Sequence, residues 1–347
     1  MNTRTRTRTR TRVRIRTRAV PGRSLHTGGS LWRPHSTCGP DCLPDQGKLP
    51  RASGPRQLGR LVALLGALLF GGVLLPVLPV LPRSGRGVAG RAWARTVLRA
   101  GGIRLDVRGR PPLRRALLVA NHVSWLDVVT ILAVTPARLL AKHEVRSWPL
   151  IGPLAALGGT IFIDRTRPRT LPQTVAEVAA VLRADGVVAV FPEGTTWCGV
   201  PRAAGSCGWA VRFRPAMFQA AVDAATPVVP VHLGYRIEFS AGRPATGAPV
   251  GPTGASAAAG TAATGQVRAV DTTAASFLAE ESLYTSVRRV LALRGLVVTL
   301  TVVDEPWCDG PTDRRRLATA AEAAVRAAGP AGPPERPAGG ATLELAA

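Results

Sequence analysis

The sequence predicts an α/β domain, a mixed, mostly parallel sheet flanked by helices, behind an N-terminal membrane-associated helical hairpin. Three observations carry that reading. From residue 117 to residue 235 short apolar runs alternate with helix-like segments, strand then helix, which demands a sheet covered on both faces. Leu61 to Leu81 carry no charge, a length that matches a bilayer. Composition shifts sharply outside these regions, to Thr and Arg in front and to Pro, Gly and Ala behind.

Taken in order, residues 1–57 read as a basic, disordered arm. Thr and Arg alternate to Arg18 with no apolar face to bury, and a Pro/Gly/Ser-rich linker follows from residue 21. Residues 58–100 are the membrane-associated part. Pro76, Pro79 and Pro82 break the apolar run, leaving Leu61 to Leu75, about 22 Å as a helix against a core of about 30 Å. Arginines flank the run on both sides, against the charge asymmetry of a simple span. A re-entrant or interfacial helix is expected, followed by a short basic amphipathic helix over Arg91–Ala100.

The folded domain is expected over 101–305. Strands are expected at Leu117–Ala120, Arg138–Ala141, Thr160–Ile163, Gly186–Phe191, Val228–Tyr235 and Leu296–Val303. Helices are expected at Trp125–Val134, Val145–Leu157, Leu171–Ala184, Pro215–Ala224 and Ser276–Arg294. Residues 241–270 read as a low-complexity loop, 306–329 as a C-terminal helix and 330–347 as a disordered tail.

The formal charge is +24 over 347 residues and is almost wholly arginine. Residues 1–60 hold thirteen arginines and Lys48 against Asp41 and Asp45. Such a field suits anionic lipid or an anionic substrate. No zinc-ligand pattern or interleaved aromatic set points to nucleic acid. The five cysteines are loosely spaced, so a reduced, cytosol-facing protein without a structural metal is expected. A Cys198–Cys207 link is compatible with the sequence.

Four segments can carry chemistry. In Asn121–Asp127, His122 follows a buried strand and is able to take a proton from a hydroxyl, with Asp127 orienting it if a turn brings the carboxylate back. In Gly159–Arg165, Arg165 at a strand end suits bidentate phosphate binding, with Asp164 as its brace. In Phe191–Thr196, Gly194 allows close backbone approach to an anion, Thr195 and Thr196 offer hydroxyls, and Glu193 suits a glycerol hydroxyl or an arginine. Pro227–Val231 reads as a buried strand with a rigid start. Trp197, Phe213, Phe218 and Phe239 are candidates for an acyl groove or for core packing. Each segment taken singly also has a structural reading, as a capped strand, a surface ion pair or an ordinary turn.

Together and in this order the four segments resemble the glycerolipid acyltransferase family that includes 1-acylglycerol-3-phosphate acyltransferase. The resemblance lies in the Asn-His-x4-Asp, Phe-x-x-Arg and Phe-Pro-Glu-Gly-Thr blocks and the late Pro-rich strand, and covers about residues 101–240. Thr196 stands where many members carry arginine or serine. The resemblance implies that His122 is general base and Asp127 its orienter, with Arg165, Glu193, Gly194 and Thr195 holding the glycerol phosphate. It implies no bound cofactor. The co-substrate is an acyl-CoA or acyl carrier protein thioester, the acceptor a lysophospholipid, and anionic membrane lipids the surroundings. The catalytic domain is expected at the cytoplasmic face of the cell membrane. Two other readings remain open: another acceptor, such as a lyso-ornithine lipid, or a degenerate membrane-surface binding protein.

Overall fold

A computed structural model describes residues 34–74, 76–77, 80–199, 212–240, 267–278, 280–303 and 313–329. The start of the basic arm, most of the 241–270 loop, Cys207, Cys308 and the 330–347 tail lie outside the described residues. The strands are β1 (Arg104–Arg108), β2 (Ala116–Ala120), β3 (Ala137–Lys142), β4 (Ile161–Ile163), β5 (Val187–Val190), β6 (Val228–Ser240), β7 (Val267–Asp271) and β8 (Leu296–Val302). The α-helices are α1 (Gly54–Leu74), α2 (Arg83–Ala100), α3 (Leu126–Val134), α4 (Ile151–Leu157), α5 (Leu171–Arg183), α6 (Phe218–Asp223), α7 (Leu283–Ala292) and α8 (Arg314–Ala327).

The strands form one sheet in the order β1-β8-β6-β2-β5-β3-β4, with β7 also paired to β6. β2 lies between β5 and β6 and is parallel to both. Among the described strands, β7 and β8 pair antiparallel with β6 and the remaining pairs are parallel. The predicted mixed, mostly parallel sheet is therefore the observed one.

β2 is buried along its whole length, as a central parallel strand must be. Its alternating side chains serve both faces. Leu117 and Val119 pack with residues of α5, α6 and α8. Ala116, Leu118 and Ala120 pack toward α3 with Ile131 and Val134. Burying a leucine such as Leu117 is worth about 1.5–3 kcal/mol, so both faces contribute to holding β2 in register. That register places the ends of β2, β5 and β6 side by side, with Val119 opposite Val190 and Ala120 opposite Val231.

Several boundaries differ from those the sequence suggests. Residues 34–53 are not a loose linker: Cys38, Cys42 and Ala52 are buried, and Arg51 bridges to Leu293. α1 begins at Gly54 and is 21 residues long, about 31 Å. It is the one helix among the described residues long and apolar enough to cross a membrane. Much of its surface is apolar and exposed, including Leu58, Val62, Leu69, Phe70 and Val73. α2 starts at Arg83, earlier than expected, and packs on α1 through Trp93, whose Nε1–H donates to the Ala67 carbonyl at 2.8 Å.

The expected helix Val145–Leu157 splits into a 3-10 turn and α4, because Leu150 between them adopts φ 64° beside Pro149. The expected helix Ser276–Arg294 shrinks to α7, since Ser282 caps it by accepting from the Thr285 amide at 3.2 Å. β1 and β7 were absent from the sequence reading. β1 alternates charge with apolar residues at a sheet edge, and β7 rises out of the low-complexity stretch to pair with β6. α8 is part of the domain rather than an appendage: Leu317, Ala318, Ala321 and Val325 lie in the same core as Leu117.

Candidate active site

The site gathers where the parallel strands end, the usual place for chemistry in such sheets. His122 follows β2, Glu193 and Gly194 follow β5, and Arg165 follows β4. The turn that the Asn-His-x4-Asp spacing requires is present. The Asp127 amide donates to the Ser124 carbonyl at 3.1 Å, so the first turn of α3 swings its carboxylate back beneath the imidazole.

Asp127 is fully buried and takes four donors. His122 Nδ1 lies 2.9 Å from Oδ2, and the Val123 and Ser124 amides reach the same oxygen at 2.6 and 2.8 Å. The Tyr235 hydroxyl donates to Oδ1. A carboxylate facing four donors acts only as an acceptor, so Nδ1 carries the ring proton and Nε2 keeps its lone pair. The His122 ring is held flat against Phe191, centroids 4.0 Å apart and planes 15° apart, and remains about one-fifth exposed. Burial first, and Asp127 second, push the Tyr235 hydroxyl well above its ordinary pKa, so it stays a donor.

Glu193 holds the same residue from behind. Its Oε2 accepts the His122 backbone N–H at 2.7 Å. Burial first, with the neighbouring Asp127 charge adding to it, raises its pKa to about 8 against the lowering effect of that hydrogen bond. The hydrogen bond that Glu193 makes is thus to the backbone of His122, and the Arg326 charge also acts on it. Asp164 is not the brace of Arg165. It accepts from the Thr166 amide and hydroxyl at 2.8 and 2.6 Å and pairs with Arg167 at 3.5 Å.

Arg165 donates instead to the Gly194 carbonyl. Gly194 needs its lack of side chain: φ is 81°, and a Cβ there would stand 2.8 Å from Pro34 and 3.4 Å from the Arg214 guanidinium. Arg165 and Arg214 thus meet at this turn, and Lys142 lies close enough to Arg165 to feel its charge, with the Glu144 carboxylate acting on both. Burial first and then Arg214 lower the pKa of Arg165, and burial first and then Arg165 lower that of Lys142. Cations held close enough to repel one another make a cradle for an anion. Arg214 and Lys142 were missed by the sequence reading. Lys142 is one of two lysines in the chain, and that rarity was the available signal. Thr195 is buried, and the Thr196 hydroxyl is turned to the Phe277 carbonyl at 2.7 Å. Of the aromatic candidates for an acyl groove, Phe213 and Phe218 are core residues, whereas Phe239 is exposed.

Known proteins resemble the chain over this region. Residues 104–234 match the family model described as Acyltransferase. A 1-acyl-sn-glycerol-3-phosphate acyltransferase of Neisseria meningitidis is 38% identical over 144 residues, 41% of this chain and 53% of that one. A lyso-ornithine lipid O-acyltransferase of Rhizobium meliloti is 38% identical over 142 residues, 39% of this chain and 48% of that one. The human 1-acyl-sn-glycerol-3-phosphate acyltransferase alpha is 35% identical over 184 residues, 50% of this chain and 62% of that one. The chain thus spans about half the length of the curated relatives it matches. The crystal structure of the 1-acyl-sn-glycerophosphate acyltransferase PlsC from Thermotoga maritima has the same fold, with TM-score 0.50 at 18% identity, covering 79% of this chain and 92% of that one. The resemblance to glycerolipid acyltransferases read from the four segments is thus matched in both sequence and fold.

Proposed function

We propose that the chain is a 1-acylglycerol-3-phosphate O-acyltransferase, moving an acyl group from an acyl-CoA or acyl carrier protein thioester to the free hydroxyl of lysophosphatidate. The observation that carries this is the juxtaposition of an oriented base with a cation cradle: His122 on Asp127, beside Arg165 and Arg214 at Gly194, with Lys142 next to Arg165. In the proposed reaction His122 Nε2 takes the proton of the acceptor hydroxyl as its oxygen attacks the thioester carbonyl. The tetrahedral oxyanion collapses, the carbon–sulfur bond breaks, and the imidazolium returns its proton to the leaving thiolate. Asp127 favours the charged imidazolium between the two steps. Arg165, Gly194 and Thr195 form the glycerol-phosphate side. Glu193, mostly protonated at neutral pH, fixes the His122 backbone without adding charge near a phosphate.

The cradle favours a phosphate acceptor over an ornithine headgroup, whose cationic amine offsets its carboxylate and leaves no net negative charge to attract. Purified enzyme with an acyl-CoA should convert lysophosphatidate to phosphatidate at least tenfold more efficiently than it acylates lyso-ornithine lipid. The reverse preference would exchange the acceptor and keep the chemistry. No thioester consumption with either would leave a degenerate surface-binding protein.

The proposal also seats α1 and α2 in the cytoplasmic leaflet as a hairpin anchor. Arg60 in α1 donates to the Leu291 and Leu293 carbonyls at 2.8 and 2.6 Å, which fixes the start of the helix to the catalytic domain. Leu61 to Leu74 then remain for lipid, about 21 Å, short of a full crossing. Acyl thioesters are cytosolic, so the domain should be labelled in spheroplasts only after permeabilisation.

A further inference from the structure

A second cluster of reactive side chains lies beside the site and takes no part in the proposed transfer. Cys38, Cys42 and Cys198 are buried, and their Sγ atoms all lie within 4.8 Å of one another. The sequence spacing concealed this, because the third cysteine is 160 positions from the first and only the fold brings them together. We propose that these three cysteines bind a zinc ion as thiolates, with water completing the tetrahedron.

Several features of the cluster suit a metal better than three packed thiols. The Cys38-x3-Cys42 spacing falls within that of thiolate zinc sites. A 3-10 turn over Pro40–Cys42, opened by Gly39 and Pro40, brings the two side chains together. The 4.8 Å bound on the separations admits a metal: zinc–sulfur bonds of about 2.3 Å at tetrahedral angles put sulfurs about 3.8 Å apart. The Cys198 backbone N–H is aimed at Cys38 Sγ at 3.3 Å, a bond that a thiol accepts weakly and a metal thiolate accepts well. Lastly, the ligand backbones are fixed from outside. The Cys38 amide donates to Ser36 Oγ at 3.2 Å, and the Thr273 hydroxyl donates to the Cys42 carbonyl at 2.6 Å. Gly199 at φ 75° turns the chain away directly after Cys198. Leu278, Leu43 and Trp197 close the cluster off with apolar surface, which strengthens thiolate–metal attraction.

The place of the cluster gives the ion a use. Cys198 lies four residues beyond Gly194, and the Trp197 amide donates to the His122 carbonyl at 2.8 Å. On the other strand of the clasp, Pro34 rests against Gly194. A metal joining residues 38 and 42 to residue 198 would hold the N-terminal segment over the cation cradle and fix the turn that carries Glu193 and Gly194. Small apolar clusters rarely order such a segment alone, and a structural zinc supplies that stability directly.

The test is metal analysis of the full chain, purified in detergent with a reductant and no chelator. About one zinc per chain is expected, falling at least tenfold in Cys38→Ser, Cys42→Ser and Cys198→Ser. Because those variants can fail to fold, cobalt is exchanged into the wild-type protein as a second measurement. The thiolate-to-cobalt charge-transfer band and intense tetrahedral d–d bands support the site. Zinc retained by all three folded variants places the metal elsewhere and overturns the proposal. So does wild-type protein that is folded and fully reduced yet takes neither metal. A mass lower by two hydrogens that returns on reduction shows a disulfide in place of the metal, and equally overturns it.

Discussion

Asp127 and Glu193 grip the same histidine from opposite sides, and their surroundings differ in kind. Asp127 stands under the ring with four donors converging on it. Glu193 stands behind the backbone with one amide donor and a pKa raised to about 8. In the proposed reaction, one pocket supports a charge that appears on the imidazole. The other is built to hold position while carrying little charge of its own. Two carboxylates beside one base therefore do not imply two catalytic acids: the number of donors around each tells them apart.

The largest effect that would break this comparison is on the ring itself. His122→Ala should lower kcat by about 10²–10⁴-fold, the usual worth of a general base. Circular dichroism should stay unchanged, because the ring lies at the sheet end. Near-normal turnover of the folded variant would remove His122 from the chemistry. Asp127→Asn comes next, with kcat expected to fall by roughly 10–10³-fold. An amide NH2 cannot accept from four donors, so the proton on Nδ1 loses its partner. KM for the acceptor should change little, and a change confined to KM would contradict an orienting role.

Arg165→Ala acts on the cradle and leaves both carboxylates in place. Loss of a charge-assisted contact of about 1.5–3 kcal/mol should raise acceptor KM by roughly 10–100-fold while kcat stays within a few-fold. Equal kinetics with lysophosphatidate would pass the task to Arg214 or Lys142.

The smallest effect on turnover, and the sharpest on the comparison, belongs to Glu193→Gln. The amide oxygen can still accept from the His122 backbone, so kcat near neutral pH should stay within a few-fold. Stability should respond to pH instead. The wild-type carboxyl ionises near 4.5 when unfolded and near 8 when folded. Raising the pH through that window favours the unfolded, ionised form, and the loss is complete above about 8. Glu193→Gln should therefore gain stability over wild type from pH 5 to pH 8, reaching a plateau of a few kcal/mol above. Parallel stability curves from denaturant titrations across that range would mean the carboxyl is not held neutral.

Much of this was legible before any coordinates. The apolar runs that became β2 and β5 are buried on both faces, so they read as continuous hydrophobic stretches. The turn after β2 announced itself through His122 and Asp127. What escaped were features whose cause is non-local. β1 is an edge strand with a mostly exposed, charge-alternating pattern, and only its pairing with β8 makes it a strand. Asp164 and Arg165 are adjacent in sequence, but the strand end sends them to different partners. The partners of Glu193 and Cys198 lie 71 and 160 positions away, beyond the reach of any local pattern. Residues 34–53 lack periodicity because they are ordered by what they pack on rather than by a regular helix or strand.

The two bonds from Arg60 to the end of α7 have a kinetic consequence. A helix fastened to its domain at one end and seated in lipid along the rest would fix the height of His122 above the bilayer. Acceptor would then arrive by lateral diffusion, and its effective concentration would be a mole fraction in the surface. Diluting lysophosphatidate with inert lipid at constant bulk amount should slow such an enzyme, whereas adding more vesicles of the same composition should not.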